Sequence, residues 1–357
     1  MRISKLAKVA SLALAFGLVA GTPAYAVDLQ GSGASFPALL IEGCKAGFAS
    51  SGSGHTYVYA SSSSGTGQSN SDKSIGDFWM SDGAYTAATK RASLIHVPLV
   101  AAPIAILHNL PAKTTLSLSA ATIAGIFGGT ITRWNDPAIV ADNNRSTTKV
   151  IYKLDKNGNP AKDAKGNPVV LRTQVVQQHY TLPDKPIKVV YRSDSSGTSE
   201  NFTNYLNKSA SAVWPKAKNK VFKDAFPGNI NDTANLGRVV GAASSTGVAQ
   251  LAGKTAYSIT YAEVNYATAN NLKIANLINP AGSSVVPDST GVGAFLASAT
   301  QDPTSGFLTY NYATTEKGAY PLGIVSYLLA DTKYPDATKA AAVKAFANYI
   351  LSTKCTK

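Results

Sequence analysis

The passage from residue 187 to residue 206 constrains the fold most. A largely apolar, β-branched run (Ile187, Val189, Val190) leads into Arg192, Asp194 and a Ser/Gly/Thr turn, after which Phe202, Tyr205 and Leu206 recur at helical spacing. That order reads as strand, turn and helix N-terminus. The first backbone N–H groups of a helix have no partner within it and carry the positive end of its dipole, so a turn of small residues lets an anion approach them. Arg192 adds a forked cation that matches the paired oxygens of a phosphate or carboxylate, and Asp194 could hold its plane. The hydroxyls of Ser196 and Thr198 are further donors. Ser, Thr and Gly alone would describe only a capped helix. With Arg192 and Asp194 in the same stretch, the reading becomes an anion site.

The octet Arg192-Ser193-Asp194-Ser195-Ser196-Gly197-Thr198-Ser199 resembles the R-x-D-x-S-G-T loop of the periplasmic phosphate-binding proteins that feed ABC phosphate transporters. The resemblance implies Arg192, Asp194, Ser196, Gly197 and Thr198 as phosphate ligands. It extends to three earlier stretches. Gly31-Ser32-Gly33-Ala34-Ser35-Phe36-Pro37 reads by itself as a small-residue loop at a helix start, with Pro37 suited to the first turn and Leu40, Cys44 and Phe48 following at helical spacing. It is similar to the family's G-A-G-A-T-F-P, which implies Ser35 and Phe36 as donors.

Tyr57-Val58-Tyr59 reads as a short strand, residues 60–67 as a polar loop, and Ile75 as part of a helical turn. By itself the loop is bland. Its resemblance to the family's G-S-x-G-G or G-S-G-x-G points to Ser64, with Ser63 one register away because the first Gly is missing. Asp77-Phe78-Trp79-Met80-Ser81-Asp82 resembles D-F-x-x-S-D. Asp82 is chemically the most informative residue. Phosphate near neutral pH keeps a proton that a buried carboxylate can accept, whereas sulfate would meet an uncompensated negative charge.

The chain of 357 residues is long for one core and suggests two lobes. Residues 1–26 read as an export leader: Arg2, Lys5 and Lys8 precede an apolar run from residue 9 to residue 20, and Ala24-Tyr25-Ala26 fits a cleavage site. No Cys follows that site to take a lipid, and no later apolar run reaches the length of a membrane span. Of the formal charge of +13, three cations lie in the leader, leaving +10 and favouring anionic partners. Nucleic acid is not the expected one. The basic residues are dispersed, and the one cluster (Lys216, Lys218, Lys220, Lys223) reads as a solvated face. Cys44 and Cys355 could form one disulfide in an oxidising compartment, or remain two thiols.

Elsewhere the pattern speaks of packing. Residues 94–107 read as strands passing between lobes, 116–127 as an amphipathic helix, 257–261 as a strand, 262–272 as a helix, 320–329 as a returning strand and 336–351 as a final helix. Residues 152–178 read as an inserted hairpin with turns at Asp155–Pro160 and Lys165–Pro168. Its start imitates a calcium loop, but Pro160 and Gly166 occupy the positions that need Gly and Glu. Gly253-Lys254-Thr255 misses the phosphate-loop spacing. His55, His96, His108 and His179 show no metal-binding spacing, so neither a metal nor another cofactor is expected.

Alternating strands and helices imply an α/β chain. The resemblance implies a two-lobe type II periplasmic-binding-protein fold, with 27–103 plus 321–357 as one lobe, 104–320 as the other, and a ligand cleft that closes by hinge motion. It further implies a monomeric, non-enzymatic, periplasmic or secreted protein that binds inorganic phosphate and delivers it to ABC permease subunits, without inserting in the membrane. The rival expectation is an exported phosphate binder with a phosphatase or adhesive role and no permease.

Overall fold

The structure is a computed structural model that describes residues 26–355 apart from 89, 112–114, 145, 178 and 303–306. The leader expected over residues 1–26 therefore lies outside the described residues save for Ala26. The chain divides into two compact units, the first drawn from Met1–Ala101, Gln301–Phe307 and Val325–Lys357, the second from Ala102–Thr300 and Leu308–Ile324.

In chain order the elements begin with β1 (Asp28–Ala34), α1 (Ala38–Ala49), β2 (Thr56–Ser62), α2 (Ser64–Asp72), β3 (Phe78–Ser81) and β4 (Leu94–His108). There follow β5 (Ser117–Ser119), α3 (Ala120–Gly128), α4 (Pro137–Asn143), β6 (Ser146–Tyr152), β7 (Val170–Gln177), β8 (Lys188–Arg192), α5 (Gly197–Ser209) and α6 (Phe222–Ala225). The remainder comprises β9 (Val239–Ala242), α7 (Ser244–Lys254), β10 (Ser258–Glu263), α8 (Asn265–Ala269), β11 (Lys273–Ile278), β12 (Ser284–Val285), α9 (Ser289–Leu296), β13 (Thr300–Gln301), β14 (Leu308–Thr309), β15 (Gly323–Asp331) and α10 (Ala337–Ile350).

Unit 1 is built on the strand order β2-β1-β3-β15. β1 runs parallel to β2 (Asp28 opposite Thr56) and to β3 (Gly31 opposite Phe78), and β15 returns antiparallel to β3 (Tyr327 opposite Ser81). Parallel neighbours need crossovers, and α1 and α2 supply them. Phe48, Tyr57, Phe78 and Phe346 fill the core between sheet and helices, with the Phe78 and Phe346 rings 4.3 Å apart. Burying such side chains is worth about 1.5–3 kcal/mol each. Cys44 of α1 and Cys355 beyond α10 are joined in a disulfide with Cα atoms 5.1 Å apart.

Unit 2 pairs β10 antiparallel to β4, β8 parallel to β10, and β9 parallel to β8, with β11 on the other side of β4. β5 and β12 flank the far half of β11. Its aromatic core includes Phe127, Phe202, Phe222 and Tyr261, the last two packed with rings 6.1 Å apart. β6 and β7 form an antiparallel hairpin whose turns are closed by Asp155 and Asp163, each accepting two backbone N–H bonds from the residues after it.

Several sequence expectations need correction. Residues 31–34 are strand rather than loop, because their small side chains let β1 lie between two neighbours. The polar run 60–67 is the end of β2 and the start of α2, and Ile75 lies beyond that helix. Ser63 caps α2, and Gly67 faces Met80 and Gly33 so closely that a Cβ would come within 2.5 Å of the Met80 carbonyl oxygen. Close packing of a Cβ-less face, not apolar periodicity, builds this helix. Residues 117–119 form a strand before α3, since β11 offers them a ladder. β10 continues to Glu263, so the next helix is shorter than residues 262–272 suggested.

Candidate functional site

In open sheets, ligand sites collect beyond the carboxyl ends of parallel strands, where helix N-termini also point. Unit 1 places its candidates there. β1 ends into Ser35 and Phe36 before α1, β2 ends into Ser63 and Ser64 at the start of α2, and β3 ends into Asp82. All of them are nearly fully buried.

Two neighbouring serines do different work. Ser63 is the N-cap, its oxygen accepting the Thr66 N–H at 3.1 Å. Ser64 opens the first turn, where its hydroxyl accepts the Asp82 N–H at 3.1 Å and lies 3.5 Å from Asp82 Oδ2. The other oxygen, Asp82 Oδ1, accepts a bond from Ser326 Oγ of β15 at 2.6 Å. Burial, together with the Asp82 charge, pushes the Tyr59 phenol well above its ordinary pKa. Its hydroxyl donates to the Ala34 carbonyl at 2.6 Å, tying β2 to the end of β1.

Unit 2 repeats the scheme. β8 delivers Arg192, a turn carries Asp194, and Ser196 caps α5 by accepting the Ser199 N–H at 3.1 Å. Gly197 and Thr198 occupy the first turn of that helix. Arg192 is only 1% exposed. Its Nε donates to Asp194 Oδ1 at 2.8 Å and its Nη2 to Asp194 Oδ2 at 2.5 Å, a two-pronged pairing that fixes the guanidinium plane. Nη1 reaches Ser245 Oγ at 3.2 Å, and the Arg192 backbone N–H donates to the Tyr261 hydroxyl at 3.2 Å.

Burial works against the Arg192 charge, but the bonds and charge of Asp194 outweigh it and leave the guanidinium pKa raised. Burial likewise acts to raise the Asp194 carboxyl, which Arg192 and the Ser244 N–H overcome, so it sits below the ordinary carboxylate range. Both groups hold their charges. Burial also drives the Tyr261 phenol up to about 12, keeping neutral a hydroxyl that accepts the Arg192 N–H and meets Ser199 Oγ at 2.7 Å. Unit 2 therefore presents a fixed, buried guanidinium beside a helix N-terminus.

The structure thus brings Ser64 to Asp82 and Arg192 to Asp194, sets Ser196, Gly197 and Thr198 at one helix start, and sets Ser35 and Phe36 before another. Ser326, Ser245 and Tyr261 complete these networks, although no local motif marks them. His108 is wholly buried, with burial and then the Lys273 charge pushing it down to about 3, which suits a neutral core residue. Among the described residues, no group of three or more His, Cys, Asp or Glu is placed to hold a metal ion. Among them also, no helix is long and apolar enough to cross a membrane.

A family model for the PBP superfamily domain matches residues 19–354. The phosphate-binding protein PstS of Pasteurella multocida is 31% identical over 346 residues, covering 92% of this chain and 83% of that protein. PstS 2 of Mycobacterium tuberculosis is 34% identical over 255 residues, and there the match spans only 56% of the relative's own length. In fold, the chain is similar to the solved phosphate-binding protein of Stenotrophomonas maltophilia, with a TM-score of 0.59 at 20% identity over 89% of this chain and 82% of that one. By the match over residues 19–354 and the 31% identity to a relative covered over most of its length, the chain belongs to the PBP superfamily and, within it, to the family of the PstS phosphate-binding proteins.

Proposed function

We propose that this chain binds inorganic phosphate outside the cytoplasmic membrane and delivers it to an ABC phosphate importer, as a binding protein and not a hydrolase. The observation that carries the reading is the buried Arg192, held flat by Asp194 beside the start of α5. A guanidinium fixed in that way, with one edge already committed to a carboxylate, suits a tetrahedral oxyanion better than a sugar or peptide. The proposed ligand set is Ser35, Phe36, Ser64 and Asp82 from unit 1, and Arg192, Ser196, Gly197 and Thr198 from unit 2; Asp194, which the sequence resemblance implies as a further ligand, has both oxygens on Arg192 and is proposed to orient it. The likeness to phosphate-binding proteins supports phosphate as the anion, and the leader expected at the N-terminus supports export.

Native mass spectrometry of gently purified protein, followed by calorimetric titration, tests the reading. The expected result is a bound species of phosphate mass and one phosphate site per chain. A bound metal or sugar, or no heat of phosphate binding after stripping, would overturn it.

A further inference from the structure

We propose that Ser326, on the returning strand β15, is a specificity-determining positioning residue: it fixes the Asp82 carboxylate so that this group accepts a proton from the bound anion. The inference rests on the phosphate reading above and deepens it.

Three observations meet at this point. Ser326 is wholly buried and its Oγ lies 2.6 Å from Asp82 Oδ1, the shorter of the two serine contacts to that carboxylate. Tyr327 stands opposite Ser81 in the β15–β3 register, so Ser326 is carried by the ladder beside the very end of the strand that delivers Asp82. The opposite oxygen, Oδ2, lies toward Ser64 at the first turn of α2. A hydroxyl bonded to a carboxylate at this distance donates, and such a charge-assisted bond sets the torsion of the whole group. Ser326 thus holds Oδ1 from β15, and Oδ2 lies on the side of Ser64 at the start of α2, one of the helix starts at which the anion is expected.

The consequence is selectivity rather than affinity alone. An Asp82 held by Ser326 can take the proton of phosphate but opposes sulfate, which has none to give. Without the Ser326 donor, the bond that sets the carboxylate torsion from β15 is gone. The group can then turn toward Ser64, and that change relaxes the discrimination.

The test measures phosphate and sulfate affinities by calorimetry for the parent and three variants. Ser326→Ala deletes only the hydroxyl, and Ser326→Cys fills the same space with a weak donor; each is expected to lower the phosphate-to-sulfate affinity ratio about tenfold. Ser326→Thr keeps the hydroxyl and is expected to hold the ratio near that of the parent. Thermal melts check that each variant is folded, and the Cys variant decides the matter if the Ala variant is not. A parent-like ratio in the Ala and Cys variants overturns the proposal, as does an equal loss for both anions, which would mark a merely structural serine. Failure of the parent to bind phosphate would instead overturn the functional reading itself, so the two failures are told apart.

Discussion

In the proposed ligand set Asp82 and Arg192 carry opposite tasks, and each can be isolated by a single substitution. Arg192 is the only cation in the proposed set, so Arg192→Met, which keeps bulk and removes the fork, should weaken phosphate binding about a hundredfold or more, given about 1.5–3 kcal/mol for each charge-assisted bond. Near-parent affinity in a folded Met variant would remove Arg192 from the ligand set. Asp82→Asn replaces a carboxylate with an amide that can both accept the phosphate proton and donate to sulfate. The affinity ratio between the anions should fall about tenfold, roughly 1.4 kcal/mol, while Ser35→Ala should weaken both anions alike. Titrating each variant with both anions checks this, and an unchanged ratio would put the proton readout elsewhere. Both residues were legible in the sequence because each belongs to a short run: Arg192 and Asp194 lie two apart before a helix start, and Asp82 ends an aromatic strand. Their supports were not legible. Ser326 meets Asp82 across 244 residues and Tyr261 meets Arg192 across 69, through strand pairings that no local pattern announces.

At the scale of elements, α2 is where sequence reasoning and structure diverge most, and the divergence is physical. Its residues are Ser, Gly, Thr, Gln, Asn and Asp, with no apolar stripe to signal a helix. The helix stands because Ser63 caps it, Gln68 Nε2 reaches Ser81 Oγ at 2.8 Å, Asn70 Nδ2 reaches Ser32 Oγ at 3.0 Å, and Gly67 lets it lie directly on the backbone of β1 and β3. By contrast the sequence marks α10 plainly, since Asp336 announces its cap and Ala342, Phe346 and Ile350 give it a buried stripe. The packing of α2 predicts that Gly67→Ala is costly. The new methyl would stand 2.5 Å from the Met80 carbonyl oxygen and 2.9 Å from the Gly33 Cα, neither of which is the end of a flexible side chain. We expect a loss of about 1–3 kcal/mol in urea unfolding. Because α2 must lift to make room, carrying Ser64 away from Asp82, phosphate affinity should fall as well. A variant as stable and as tight-binding as the parent would show that α2 is looser than this contact implies.

At the scale of the whole molecule, unit 1 is assembled from chain segments that are remote in sequence, and the Cys44–Cys355 disulfide, with a separation of 311 residues, ties the first helix to the end of the last. Both cysteines are buried in the unit 1 core, beside Phe48, Phe346 and Ile350. A crosslink of this kind restricts the unfolded chain and opposes peeling of α10 from the unit 1 core. The double variant Cys44→Ser, Cys355→Ser should therefore lose about 2–4 kcal/mol of stability. It should leave phosphate affinity within about twofold, since Cys44 lies nearly two turns along α1 from the Ser35 and Phe36 end, about 9 Å by helical rise. Calorimetric melting of parent and variant, alongside phosphate titration, separates the two effects. Because the bridge lies wholly within unit 1, only the transition belonging to that unit should move if the two units melt separately. A variant with parental stability would mean that packing of α10 alone holds the chain end. A stable variant with weakened binding would instead mean that the bridge sets the position of the α1 start, where Ser35 and Phe36 present their N–H groups.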